Sequence, residues 1–97
     1  MTIFAVLMPI PQPALIDEIR RSYPLDHLQL NETQFLVSAN NITTTDLAVK
    51  LGVVNLQDPV KAPSGNAVIF ATSSYFGRAP TTVWKWIKTK LEAPPSV

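Results

Sequence analysis

No cysteine occurs in this sequence. That removes disulfides, thiolate zinc sites, redox dithiol motifs and a thiol nucleophile together, and it fits a reducing compartment, with the cytoplasm as the expected location. Glycine is nearly as scarce, with three residues at 52, 65 and 77. Gly77 has neither companion glycines nor a Walker-type lysine, so it reads as a turn rather than a phosphate cradle. His27 is the only histidine. Nucleophilic catalysis would need a nucleophile and an orienting acid beside it, and the spacing of Ser73, Ser74 and Asp26 selects none of them. Asp17 and Glu18 are adjacent and point about 100° apart on a helix, a poor arrangement for a shared metal; the helix dipole is the expected reason for them. Long apolar runs are missing too. Met1–Ile10 is apolar but lacks a basic leader and meets prolines at 9, 11 and 13, so neither a signal peptide nor a membrane-spanning helix is expected. These absences predict no catalytic residues, no metal, no cofactor and no membrane partner.

What is present is a folding composition. Apolar residues make up 46% of the 97 positions and charged ones only 15%, with a mean hydropathy of +0.16. This predicts a single domain over residues 1–92 with a flexible tail at 93–97, and some apolar surface covered by a partner. The net charge of +1 conceals an asymmetry. Residues 1–58 carry three basic and six acidic side chains, residues 59–97 five basic and one acidic. A basic face of this size would favour a polyanion weakly.

Ile3-Phe4-Ala5-Val6-Leu7-Met8, stopped by Pro9, reads as a strand buried on both faces. Pro13–Arg21 has proline at its first turn and arginines late, and its stripe of Leu15, Ile16, Ile19 and Tyr23 predicts an amphipathic helix ending at Pro24. His27–Leu30 and Thr33–Ser38, separated by Asn31-Glu32, predict a β-hairpin whose second strand is the more buried. A threonine within Thr43-Thr44-Thr45 can cap a short helix with Leu47, Ala48 and Leu51 on its apolar face and Gly52 as its stop. Val53–Asn66 reads as loop and turn, Ala67–Thr72 as a second wholly apolar strand, and Pro80-Thr81 as the start of a last helix. On that helix Val83, Trp84, Ile87 and Leu91 share a face, and Lys85 and Lys88 lie across from them.

The order is βαββαβ plus a helix. Right-handed crossovers pack it as an α+β, ferredoxin-like arrangement, a four-stranded antiparallel sheet of order 4-1-3-2 with an extra C-terminal helix. The fourth strand then lies at an edge although it is as apolar as the central first, and an uncovered apolar edge invites pairing. Either the C-terminal segment or a second subunit covers it, and a homodimer is expected.

The apolar first strand, Glu32-Thr33-Gln34-Phe35-Leu36-Val37 as a hairpin strand, the Thr-led helix at Thr43–Leu51 and a late strand with an aromatic-glycine segment together resemble a known group. Over residues 1–77 the chain is similar to the small ferredoxin-like proteins related to the lesser subunit of the CRISPR spacer-acquisition complex and to VapD-like toxins. The resemblance implies dimerisation through the sheets, and in some members metal-dependent nuclease activity. The catalytic acid implied is an aspartate at the end of strand 1. Here that place reads Leu7-Met8-Pro9-Ile10, with no carboxylate before Asp17, so hydrolytic activity is not expected.

The densest chemistry lies in Tyr75–Leu91, which holds four of the eight aromatic residues and four of the eight lysines and arginines. Trp84 and Trp86 diverge by about 200° on a helix, so one is expected in the core and the other partly exposed or at an interface. The candidate binding residues are Tyr75, Phe76, Arg78, Lys85, Trp86 and Lys88. They suit a protein interface, where aromatics and arginine concentrate energy, or alternatively a nucleic acid, with Arg78, Lys85, Lys88 and Lys90 on phosphates and an aromatic on a base. The sequence thus predicts a small non-catalytic interaction module, homodimeric, with nucleic-acid binding through the basic last helix as the alternative.

Overall fold

Two apolar runs, one near each end of the chain, become neighbouring strands with different fates. A computed structural model describes residues 2–58, 64–72 and 81–91. Along them run β1 (Thr2–Leu7), α1 (Pro13–Ser22), β2 (His27–Gln29), β3 (Gln34–Ala39), α2 (Thr44–Lys50), β4 (Val68–Thr72) and α3 (Thr81–Leu91). The strands form one sheet in the order β2-β3-β1-β4, with every neighbouring pair antiparallel. This is the α+β order expected for a ferredoxin-like arrangement, and α3 is the added helix. The tail at 93–97 lies outside the described residues.

Strand alternation sorts the sheet into two faces. Phe4 stands opposite Val37 and Ala71, and Val6 opposite Phe35 and Ile69. Phe4, Val6, Phe35 and Val37 form one cluster with Leu15 and Ile19 of α1 and with Leu47 and Leu51 at α2, so both crossover helices cover this first face. The second face carries Ile3, Ala5 and Leu7, with Leu36 and Ser38 on one side and Val68, Phe70 and Thr72 on the other. α3 packs against β1. Because strands flank β1 on both sides and α1 and α2 occupy the first face, α3 must cross the second. Its cover is uneven. Ile3 and Ser38 are 2% and 1% exposed, whereas Leu7, Phe70 and Val68 are 38%, 53% and 57% exposed. The apolar sequence of β4 therefore does not mean burial, because only Ile69 packs against the core from this strand.

Local chemistry explains where the helices begin and end. In α1, Pro13 opens the helix, Leu15 and Ile19 are fully buried, and Arg20 and Arg21 occupy the last turn. The dipole reading of Asp17 and Glu18 is corrected, since the first turn contains no acid. Glu18 instead accepts from Arg21 and, at 3.0 Å, from Ser22 Oγ. The Arg21 bond, then the Ser22 bond, holds the Glu18 carboxyl below the usual glutamate range.

α2 is framed at both ends. Thr43 Oγ1 accepts from the Asp46 backbone N–H at 3.1 Å while Asp46 Oδ2 accepts from the Thr43 N–H at 2.9 Å, a reciprocal capping box. At the other end Gly52 has φ +78°, Val53 N–H donates to Ala48 O at 2.9 Å, and Gly52 O accepts from Ser64 N–H at 2.9 Å. A β-carbon at Gly52 would collide with Ser64 Oγ.

Candidate functional site

α3 presents two arcs. Val83, Trp84, Trp86, Ile87 and Lys90 are half-buried, while Thr81, Thr82, Lys85, Lys88 and Thr89 are exposed. At about 100° per residue, Val83, Ile87 and Lys90 run along the middle of the packed arc, with Trp86 at one rim and Trp84 at the other. The expectation of a core tryptophan is therefore corrected, while that of a partly exposed one stands for both: Trp84 and Trp86 are each half-buried, because a stripe wide enough to seat on a sheet reaches residues on either side of its centre. Among the candidate binding residues Lys85 and Lys88 are exposed and Trp86 is half-buried. Tyr75, Phe76 and Arg78 lie outside the described residues.

Lys90 stands apart from the other two lysines. Its Nζ donates to Asp26 Oδ1 at 2.6 Å, with the side chains 23% and 37% exposed. This ties the end of α3 to the residue before β2, and Asp26 O in turn accepts from Ser38 N–H at 2.8 Å. Lys90 is thus a tether, and the phosphate-binding role expected for it does not fit. Lys85 and Lys88 form no ion pair among the described residues.

The candidates for chemistry are each engaged elsewhere or isolated. His27 Nδ1 lies 2.6 Å from Tyr23 O; a carbonyl only accepts, so Nδ1 is the donor and the ring is fixed to the end of α1. Phe35 packs at a 6.4 Å centroid distance from that ring, and Lys50 Nζ stands 4.7 Å over the Tyr23 ring, a cation–π contact. Asp46 is held in the capping box; the Thr43 backbone N–H, then its hydroxyl, keeps the carboxyl below the usual aspartate range. Among the described residues no three His, Asp, Glu or Cys side chains stand together as metal ligands. Ser73 and Ser74 lie outside the described residues.

The described surface has instead an apolar site at β4 that no motif announced. A cleft of about 350 Å³ runs between α2 and β4, lined by Thr44, Ala48, Val53, Val54, Ala67 and Ile69 among others. A second, of about 370 Å³, lies at the end of β1, lined by Leu7, Met8, Pro9, Asn66, Ala67 and Val68. Among the described residues neither is lined by a carboxylate or a histidine. The Gln12 side chain fixes the approach to β4, its Nε2 donating to Asn66 O and its Oε1 accepting from Asn66 N–H. A β-carbon at Gly65 would strike that same Gln12 amide. No described helix is long and apolar enough to cross a membrane.

No family model, curated protein or solved structure matches the chain.

Proposed function

We propose that this protein is a small cytoplasmic, non-catalytic interaction module that works as a homodimer and contacts its partner through the outer side of α3 and the segment before it. One observation carries the reading: among the described residues β4 is the last strand of the sheet, and it keeps Val68 and Phe70 more than half exposed. A strand of this kind, uncharged and free of proline, is a template for pairing. The contact with a partner is assigned to Lys85, Lys88 and the exposed part of Trp86, together with Tyr75, Phe76 and Arg78. The resemblance to the CRISPR small-subunit and VapD-like group is taken in its dimeric, non-hydrolytic sense, since the chain has no acid at the end of β1. Sedimentation velocity across the micromolar range tests the dimer. A concentration-dependent two-fold mass is expected, and a strictly monomeric species at high micromolar concentration would reject it.

The exposed Lys85 and Lys88, which form no ion pair among the described residues, favour nucleic acid as the second reading. With Lys90 engaged, Arg78, Lys85 and Lys88 remain for phosphates and give a salt slope of about −2.1 on a single strand, so a fourfold rise in salt would weaken binding about eighteenfold. Fluorescence titration with short DNA and RNA at two salt concentrations separates the readings. No signal at low salt eliminates nucleic acid, and binding abolished by Lys85→Glu with Lys88→Glu in a folded protein supports it.

A further inference from the structure

The two edges of the sheet are treated differently. β2 is three residues long, His27–Gln29, polar at both ends, and Gln29 is engaged by Arg20 at 2.9 Å. It is short and decorated, as protected edges are. β4 is five residues of Val-Ile-Phe-Ala-Thr with no charge, no proline and an unbroken register against β1.

Hydrogen-bond parity shows which β4 backbone groups face outward. Met8 N–H donates to Thr33 O at 2.8 Å, so by the alternation of an antiparallel ladder the even-numbered residues of β1 bond to β3 and the odd ones to β4. The 2.7 Å bond from Thr72 Oγ1 to Ile3 O agrees. Opposite the odd residues Ile3, Ala5 and Leu7 stand Thr72, Phe70 and Val68. The N–H and C=O groups of Ile69 and Ala71 therefore point away from the sheet.

We propose that β4 pairs antiparallel with β4 of a second copy of this chain, in the register that sets Phe70 on the two-fold axis and joins the two sheets into one. This rests on the dimeric reading above and specifies its interface. Only registers that oppose outward-facing residues to one another satisfy both backbones. Among those, placing Phe70 opposite its mate alone overlaps all five residues: Ile69 exchanges both bonds with Ala71 of the second copy, and Val68 stands opposite Thr72. The side chains agree. Phe70 and Val68 project from the half of the second face that α3 leaves bare, and Val68 adjoins the exposed Leu7. The two-fold continues this strip into its copy, so each Phe70 covers the other. With no charge on the strand, self-pairing opposes no like charges.

The absence of native cysteine makes the register directly readable by single-cysteine cross-linking. Non-hydrogen-bonded neighbours have Cα atoms about 4.5 Å apart, inside the disulfide window of about 4.4–6.8 Å. Val68→Cys protein carrying an affinity tag is mixed with untagged Thr72→Cys protein and oxidised, leaving Phe70 in place. The expected product is a mixed disulfide dimer, with neither variant cross-linking to itself beyond a trace, while Phe70→Cys cross-links to itself. A dimer in sedimentation that gives no mixed disulfide overturns this interface and leaves the dimeric reading standing. A monomer in sedimentation, with no cross-link of any kind, overturns both.

Discussion

Removing the Asp26–Lys90 contact should loosen α3 from the sheet, by an amount the geometry bounds. At an effective dielectric of about 20 and a charge separation of about 4 Å, the gross attraction is about 4 kcal/mol. Against it stand partial desolvation of both groups and the ordering of a lysine, which costs up to about 2 kcal/mol. Fully exposed pairs net about 0.2–1 kcal/mol. With side chains 23% and 37% exposed, this pair belongs at the top of that range, and a coupling energy of about 1 kcal/mol is expected, equivalent to about 4–8 °C in Tm for a domain of this size. The assay is a double-mutant cycle of Asp26→Asn and Lys90→Met in urea, read by tryptophan fluorescence, since both tryptophans lie on α3. Lys85→Met serves as the control and should move stability by less than about 0.5 kcal/mol. Because the pair is only partly screened, part of the coupling should survive at high salt. A coupling energy indistinguishable from zero, or a Lys85 effect equal to that of Lys90, would refute the assignment of Lys90 to structure and of Lys85 to the free surface.

Gly52→Ala forces a side chain into φ +78° and against Ser64 and should destabilise the protein by about 1–2 kcal/mol in chemical denaturation. Thr43→Ala deletes the capping hydroxyl of α2 and should cost about 1 kcal/mol, with faster amide exchange in residues 44–47. The carboxyl of Asp46 is depressed by the Thr43 N–H, so its contribution is complete above the unfolded aspartate pKa of about 3.9 and is lost as the pH falls below it. An acid titration of stability should flatten in that window in Asp46→Asn. Phe70→Asp places a charge on a residue already 53% exposed, so each chain should still fold, at a cost of about 1 kcal/mol for aspartate in a strand, while the dimer in sedimentation is lost.

Most of the element order was legible because local chemistry announces it. Pro13 and Pro24 bracket α1, a threonine of Thr43-Thr44-Thr45 and Gly52 bracket α2, and Asn31, whose Oδ1 accepts from Thr33 N–H at 2.9 Å, makes the hairpin turn. The strand order followed from crossover handedness. The burial of β4 was not legible. A continuous apolar run has no period, so it reads identically whether both faces are covered or one is bare. What bares Val68 and Phe70 is the path of α3 over β1, and that path is a tertiary fact set partly by Lys90 reaching Asp26, residues 64 positions apart. The dipole role given to Asp17 and Glu18 failed for a smaller reason. The sequence itself starts helix α1 at Pro13, which puts both acids one turn too late.

The same tertiary fact divides the basic segment. On the sequence all three of Lys85, Lys88 and Lys90 suit phosphates, although spacing sets Lys85 and Lys88 across from the apolar face and Lys90 near Trp86. Packed on the sheet, the central line of Val83, Ile87 and Lys90 faces inward, so the lysine that lengthens the basic run is the one that anchors it. Two exposed lysines on one helix cannot hold a polyanion strongly, since each phosphate contact contributes only a modest salt-dependent increment. In a two-fold dimer, however, every such pair occurs twice, and a partner long enough to reach both copies would gain by effective concentration rather than by new contacts. Any tight binding through α3 should therefore collapse in Phe70→Asp even though that substitution lies on another element, and tight binding that survives in the monomer would show that α3 acts alone.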